Sequence, residues 1–139
     1  MSGHNATIGG GGFHQVAIRA HDFEATIRFY SEALGFTEKI AWGEGDGRAV
    51  MLDAGDENCL EIFAGGKNEP KLEGPVLHFA LRTDDCDSAL ERARSTGAEV
   101  TMEPKDIDIP SRPANTPVRI AFCKGPDGEV IEFFQNETT

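Results

Sequence analysis

The feature that most constrains the fold of this 139-residue chain is an internal repeat. Residues 15–22 (QVAIRAHD) and residues 78–85 (HFALRTDD) are similar segments that lie 63 positions apart (78 minus 15). A second pair of similar segments, 60–63 (LEIF) and 131–134 (IEFF), occurs later in each half. Because similar halves are expected to fold alike, the repeat predicts a duplicated module.

Both halves show the same order of predicted elements. In the first half a strand over 13–20 precedes a helix that Asp22 caps and Gly35 ends, and apolar residues recur along this helix at three- and four-residue spacing. The second half repeats this order, with Asp84 or Asp85 as the helix cap. The remaining predicted strands lie over 36–42, 48–53, 59–64, 76–82, 98–102, 118–123 and 130–134.

These elements predict an α+β fold of two tandem βαβββ modules, over about 13–64 and 76–135, whose curved sheets surround a central cleft. The length suits one domain, 13–135, because a single core typically serves about 100–200 residues. Residues 1–12 end in four glycines and are predicted to form a flexible leader. The proline-rich segment 104–117 predicts a long loop, of a kind that often covers a binding site.

Composition excludes several classes of partner. The formal net charge of −11 disfavours nucleic acid and anionic membrane surfaces, which the average surface field would repel. No segment approaches the roughly 18 consecutive apolar residues of a membrane span, and the N-terminus lacks a basic-then-apolar signal pattern. Cys59, Cys86 and Cys123 show no CxxC spacing, so we expect reduced thiols rather than zinc ligands, and a cytoplasmic location.

Four polar residues occupy matched positions in the two halves. Side chains alternate between the faces of a strand, so Gln15 and Arg19 share one face, and His78 is the counterpart of Gln15 in the repeat. Glu61 and Glu132 are matched in later strands, each between bulky apolar neighbours. If the two sheets pair about their pseudo-twofold axis, all four polar residues are expected to converge in the cleft.

This set of side chains suits a divalent metal ion. A buried carboxylate without a partner is strongly unfavourable, and such groups are normally paired or bound to metal. Two carboxylates neutralise a 2+ ion, an imidazole suits zinc, nickel or iron, and the oxygen ligands tolerate additional waters. Taken singly, Glu61 and Glu132 are also compatible with a solvent-exposed face, and His78 with a hydrogen-bonded core histidine.

At these residues the sequence resembles the vicinal oxygen chelate superfamily, over residues 13–135. Within that superfamily the motif is most similar to that of glyoxalase I, which has a His or Gln in the first strand, a Glu late in the first module, a His opening the second module and a Glu after a PDG turn. These positions fall on Gln15, Glu61, His78 and Glu132. The resemblance implies zinc, with nickel, iron, cobalt or manganese as alternatives, and a homodimer that binds a small-molecule substrate.

The resemblance also implies roles for individual residues. Glu132 would be the mobile general base and Glu61 its counterpart, while the metal would bind two vicinal substrate oxygens and stabilise an enediolate. Arg19 matches the arginine that holds the glutamyl carboxylate of glutathione. An Asn and an Arg that also contact glutathione in glyoxalase I fall on Gly65 and Gly74. Most anchors for a glutathione hemithioacetal are therefore missing, and the substrate stays open.

Two other functions are compatible with the sequence. One is a different enzyme of the superfamily, such as an epimerase or a dioxygenase, although a dioxygenase would need a second histidine and His14 is one register off. The other is a metal-free small-molecule-binding protein of the bleomycin-resistance type. Its cleft would be lined by aromatic residues that are equally compatible with core packing, namely Trp42, Phe63, Phe122 and Phe134.

Overall fold

The computed structural model describes residues 4–7, 9–10 and 12–139. The predicted leader, 1–12, includes positions 1–3, 8 and 11, which lie outside the described residues, and in its described part Asn5 and Gly10 form an isolated antiparallel bridge. A single 3₁₀ turn, Gly45–Gly47, lies between the second and third strands. The other elements are β1 (Gln15–Arg19), α1 (Phe23–Leu34), β2 (Thr37–Trp42), β3 (Ala49–Gly55), β4 (Asn58–Phe63), β5 (Phe79–Arg82), α2 (Cys86–Ser95), β6 (Glu99–Ile109), β7 (Thr116–Lys124) and β8 (Val130–Gln135).

Each half of the chain forms one four-stranded sheet and one helix. The first sheet has the order β1-β4-β3-β2, in which β1 and β4 are parallel and the other neighbours antiparallel. The second sheet has the equivalent order β5-β8-β7-β6 and is likewise parallel only between β5 and β8. The predicted α+β fold of two βαβββ modules is therefore confirmed, and the described strands form no closed barrel. Neither helix in the described ranges has the length and apolarity that a membrane crossing requires.

The helix ends agree with the sequence signals. Asp22 accepts a hydrogen bond from the Ala25 backbone N–H at 3.1 Å, and Gly35 ends α1 at a φ of 71°, where glycine avoids the steric cost of a side chain. The cap of α2 is Asp85, whose carboxylate accepts from the Ser88 N–H at 3.0 Å. Of the two aspartates that the sequence left open, the second one is therefore the cap.

The predicted loop over 104–117 is wrong, because most of it is strand. β6 continues to Ile109 and pairs with β7 as far as Thr116, so that the connection shortens to 110–115. Pro104 is tolerated because it falls at a register shift of the ladder and because β6 is an edge strand, where a missing N–H costs little. β5 is shorter than predicted and begins at Phe79.

The two modules share one hydrophobic core. The helices pack on each other, and each helix also packs on one face of its own sheet. Burial of each large core side chain contributes about 1.5–3 kcal/mol, and the largest ones that are fully buried include Tyr30, Leu52, Ile62, Leu90 and Phe133. Because the helix-facing sides of both sheets meet in this core, the opposite faces point away from it.

All three cysteines are buried and free, as predicted. Cys86 and Cys123 lie in the shared core, and burial raises the pKa of the Cys123 thiol to about 11. A thiol that stays protonated at neutral pH is a poor metal ligand and a poor nucleophile.

A partly buried polar cluster joins the two modules at the turn before β8. The Asp127 carboxylate accepts from the His21 backbone N–H at 2.8 Å and from the Thr26 hydroxyl at 2.7 Å, and it lies 2.9 Å from His21 Nδ1. Glu129 accepts from the Tyr30 hydroxyl at 2.6 Å. These polar contacts cross between α1 and the second module, so they fix how the modules meet.

The Glu129 carboxyl makes the stability of this contact depend on pH. Burial raises the pKa of Glu129 above its usual value, although the hydrogen bond from Tyr30 opposes the shift. Between its unfolded and folded pKa values, such a carboxyl binds more protons in the folded state. The free energy of unfolding therefore falls as pH rises through that interval.

We predict that the free energy of unfolding of the wild-type protein, relative to a Glu129→Gln variant, decreases as pH rises from below about 4 to neutral. The variant lacks this titrating group, so the difference isolates it. Urea unfolding at a series of pH values measures both proteins, and the exposed Glu73→Gln serves as a control that should give a flat difference. A difference that grows with pH would contradict the prediction.

Candidate functional site

The first pair of predicted site residues lies on parallel neighbouring strands. Gln15 begins β1 and Glu61 lies in β4, and the Gln15 Nε2 donates to Glu61 Oε1 at 2.7 Å. Val16 and Leu60 point to the shared core, so by alternation Gln15 and Glu61 lie on the opposite face of the sheet. Glu61 is only 9% exposed despite its position on this face.

The second pair repeats this arrangement in the second module. His78 immediately precedes β5 and Glu132 lies in β8, with His78 Nε2 at 3.1 Å from Glu132 Oε1. Glu132 is 8% exposed, and the Phe122 ring meets the imidazole edge-on with ring centroids 5.5 Å apart. The exposed-face alternative for both glutamates is therefore wrong, because each carboxylate is buried.

The single chain brings these four residues together as two separate pairs. Among the described residues, no three His, Cys, Asp or Glu side chains form a group that could hold one metal ion. The expected convergence of Glu61, His78 and Glu132 is therefore absent within one chain. The cause is the helix packing, which directs the site-bearing face of each sheet away from the shared core.

A cleft of about 1010 Å³ lies between the modules and reaches one residue of each pair. Gln15 and His78 both line it, at the starts of the two edge strands. Its remaining lining is largely apolar and includes Phe79, Leu81 and Phe133. Large apolar residues near its mouth are strongly exposed in the single chain, with Phe13 at 85% and Val76 at 77%.

Arg19 lies on the same face as the first pair. Its Nη1 donates to the backbone carbonyl of Ala64 at 2.9 Å, and its guanidinium lies 5.3 Å from the centre of the Phe63 ring. The residue is exposed, so its other N–H groups can reach a ligand.

The four aromatic residues predicted to line a cleft lie outside the shared core. Trp42 is 42% exposed and meets Phe63 edge-on at 6.4 Å, and Phe122 and Phe134 are half-buried on the face that carries Glu132. The core-packing alternative is therefore wrong for these residues. They give the site-bearing faces an apolar character.

Sequence reasoning missed two features around the site. A position one register from Gln15 predicts that His14 lies on the opposite face of β1, yet its Nδ1 lies 2.7 Å from Gln15 Oε1. His14 precedes the strand, so strand alternation does not hold it. The contacts of Asp127 and Glu129 with the first module also had no prediction, although Asp127 belongs to the PDG turn. Their sequence signal is weak, since their partners lie about 100 residues away.

The residues present fit a divalent cation by charge and by donor chemistry. Among the described residues, Glu61 has an amide partner and Glu132 an imidazole partner, and neither forms an ion pair with Lys or Arg. Two buried carboxylates without a full positive charge are costly, and a bound cation would relieve that cost. Oxygen and imidazole donors of this kind suit zinc and the neighbouring divalent metals.

The chain is similar in sequence to known proteins over most of its length. The uncharacterized protein YwbC of Bacillus subtilis is 34% identical over 122 residues, which cover 85% of this chain and 92% of that protein. A probable lactoylglutathione lyase of Vibrio parahaemolyticus is 28% identical, with 86% of this chain and 87% of that protein covered. A lactoylglutathione lyase of Haemophilus influenzae is 27% identical, with 88% and 90% covered.

Solved structures show the same fold. A glyoxalase I mutant from Zea mays superposes with a TM-score of 0.71 at 25% identity, over 89% of this chain but only 44% of that longer protein. A fosfomycin resistance protein from Mesorhizobium loti superposes with a TM-score of 0.66 at 19% identity, over 92% of this chain and 93% of that one. The second likeness concerns the fold alone.

A family model agrees with the fold and with these relatives. The model described as the Glyoxalase/Bleomycin resistance protein/Dioxygenase superfamily matches residues 12–133, which is most of the chain. The chain therefore belongs to the Glyoxalase/Bleomycin resistance protein/Dioxygenase superfamily.

Proposed function

We propose that the protein is a metal-dependent lyase or isomerase of the glyoxalase I type, which moves a proton between adjacent carbons of a small oxygenated substrate through an enediolate. The observation that carries the proposal is the pair of buried carboxylates, Glu61 and Glu132, at equivalent strand positions beside an amide and an imidazole. Relatives named lactoylglutathione lyase, at 27% and 28% identity, support it.

Gln15, Glu61, His78 and Glu132 would hold the metal ion, for which zinc is the first candidate and nickel, iron, cobalt and manganese are alternatives. The ion would supply Lewis-acid stabilisation of the negative charge that develops on the substrate oxygens. Rotation of the Gln15 amide would present its oxygen rather than its NH₂ group, since the two ends of an amide are interchangeable by a flip.

Glu132 is proposed as the general base. It lies in the interior of β8, buried and beside His78, so its carboxylate has little bulk water around it. The substrate C–H bond would break as the Glu132 O–H bond forms, and the same proton would then pass to the neighbouring carbon. Phe122 restrains the His78 ring from its edge, and Gln15 orients Glu61 in the matching position.

Arg19 is proposed to bind an anionic part of the substrate. Part of its guanidinium is already held by the Ala64 carbonyl and the Phe63 ring, which keeps it at the site-bearing face. The glycine at position 65 has a structural cause, because its φ is 84° and a Cβ there would lie 3.0 Å from the Asp46 carbonyl oxygen. An asparagine anchor for glutathione would be strained at this position.

We propose that the active protein is a homodimer with shared sites. One chain leaves its two donor pairs apart, so a complete site needs the first-module pair of one subunit and the second-module pair of its partner. Exposed apolar residues near the cleft, including Leu77 at 61%, would be covered by the second subunit.

Substitution Glu132→Gln should lower turnover by at least about 100-fold, because the variant cannot accept the substrate proton. Gln has the shape of Glu, so the circular dichroism spectrum should stay that of the wild type. The exposed Glu69→Gln is the matched control and should retain full activity. Retention of activity by Glu132→Gln would remove this residue from the role of base.

Mixed dimers test whether sites are shared. A dimer that contains one Glu61→Gln subunit and one Glu132→Gln subunit would have one doubly damaged site and one intact site. Random exchange of subunits should therefore restore about a quarter of the wild-type activity and metal content. Each variant alone should stay inactive, and no recovery in the mixture would contradict sharing.

Substrate assays separate this proposal from other enzymes of the superfamily. The purified, metal-loaded protein should isomerise an α-ketoaldehyde adduct of a small thiol, measured by the thioester absorbance. Methylglyoxal with glutathione is the first substrate, and methylglyoxal with smaller thiols follows because most glutathione anchors are missing. If the protein acts on none of the thiol adducts but acts on a different oxygenated substrate, it is another enzyme of the superfamily.

A metal-free binding protein is the second candidate, and the exposed aromatic residues favour it. Trp42 is the single tryptophan and lies on a site-bearing face beside Phe63. Binding of an aromatic compound there should change the tryptophan fluorescence. Elemental analysis of the purified protein separates the two functions, since this candidate requires no metal.

A further inference from the structure

The two turns that precede the site glutamates break the pseudo-twofold symmetry. Asp127 lies five residues before Glu132 and is 8% exposed, whereas its counterpart Asp56 lies five residues before Glu61 and is exposed. The two modules therefore differ at the point where each glutamate-bearing strand begins. Only the second turn is buried against the other module.

Asp127 is held by donors from the first module. It accepts from the His21 N–H at 2.8 Å and from the Thr26 hydroxyl at 2.7 Å, and its side chain is 4% exposed. Thr26 is fully buried. At the matching position of α2, 63 residues later (26 plus 63), the residue is Ala89, which offers no hydroxyl to the first turn. The large cleft lies on that side and is lined by Ala89 and Asp56.

Glu129 tightens the same turn from within. It accepts from the Asp127 N–H at 2.8 Å and from the Tyr30 hydroxyl at 2.6 Å. A Cβ at Gly125 would lie 2.5 Å from the Glu129 carboxylate, so the glycine makes room for this arrangement. The turn therefore has one buried and one half-buried carboxylate, each of which accepts at least two hydrogen bonds, and these bonds restrain its conformation.

Both ends of this cluster lead directly to site residues. His21 follows Arg19 by two positions at the end of β1, and Glu129 precedes Glu132 by three at the start of β8. A change in the cluster would move β8 relative to β1 as a unit, because strands in a packed sheet shift together.

We infer that Asp127 is a positioning residue, which holds the start of β8 to the start of α1 and so sets the placement of the His78–Glu132 pair relative to the Gln15–Glu61 pair. This inference rests on the proposed function for its consequence. A symmetric dimer can form two shared sites only if the two modules of each chain keep one mutual orientation. The orientation itself is measurable without any metal.

The test compares Asp127→Asn with Asp56→Asn, the same change in the matched turn. Asparagine has one acceptor oxygen where Asp127 has two, so its NH₂ group would replace the oxygen that accepts from either the His21 N–H or the Thr26 hydroxyl, and the negative charge would be lost. Asp56 is exposed and its φ of 56° suits asparagine. Thr26→Val and Thr26→Ser form a milder pair, in which only serine keeps the hydroxyl. If Asp127→Asn does not fold, the comparison of Thr26→Val with Thr26→Ser replaces it in the test.

The first measurement is the distance distribution between the modules by pulsed electron spin resonance on metal-free protein. Spin labels at the exposed positions 39 and 105 (Lys39→Cys and Lys105→Cys) report on β2 and β6, with unlabelled protein added so that each dimer has one labelled chain. The native cysteines are buried. Asp127→Asn and Thr26→Val should widen or shift the distribution, and Asp56→Asn and Thr26→Ser should not.

The second measurement is the affinity for Zn²⁺ by competition with a chromophoric chelator, on samples shown to be folded. Asp127→Asn should bind zinc about 10-fold or more weakly, the scale on which supporting residues affect metal sites, and Asp56→Asn should match the wild type. An unchanged distance distribution, or a changed distribution with wild-type zinc affinity, would overturn the positioning role. If the wild type binds neither Zn²⁺ nor any of the alternative divalent metals, the proposed function is refuted instead, and the distances still decide whether Asp127 orients the modules.

Discussion

The packing of α1 against α2 in one core determines which face of each sheet is left outside that core. Each sheet has a helix on one face, and the two helices meet, so the other face of each sheet is directed outward. Every residue proposed for chemistry lies on or beside those outward faces. In the proposed function, this packing leaves each chain with two half-sites on its outward faces.

The two glutamates on these outward faces are buried, which is unusual for carboxylates. A carboxylate in a strand interior is normally exposed or paired with a cation. Glu61 and Glu132 are nearly as buried as core residues, yet their partners in the described part of the chain are a neutral amide and a histidine. Apolar neighbours such as Phe122 and Phe63 remove water without supplying charge. A bound cation would relieve the cost of burying these two carboxylates.

Local signals in the sequence predicted the order of helices and strands and the face of the strand on which each site residue lies. The repeat predicted two βαβββ modules, and alternation along β1 and β4 placed Gln15 and Glu61 on a common face. The length of β6 was wrong, because proline is a signal against strands in general and only the edge position of β6 makes Pro104 harmless. The separation of the two donor pairs followed from helix packing between distant modules. No pattern within either half encodes that packing.

The most direct measurement of the central proposal is a crystal structure of the zinc-loaded protein with anomalous diffraction at the zinc edge. We expect one anomalous peak per site, bonded to Gln15 and Glu61 of one subunit and to His78 and Glu132 of its partner. A peak bonded elsewhere, or metal-free crystals from protein saturated with zinc, would contradict the account.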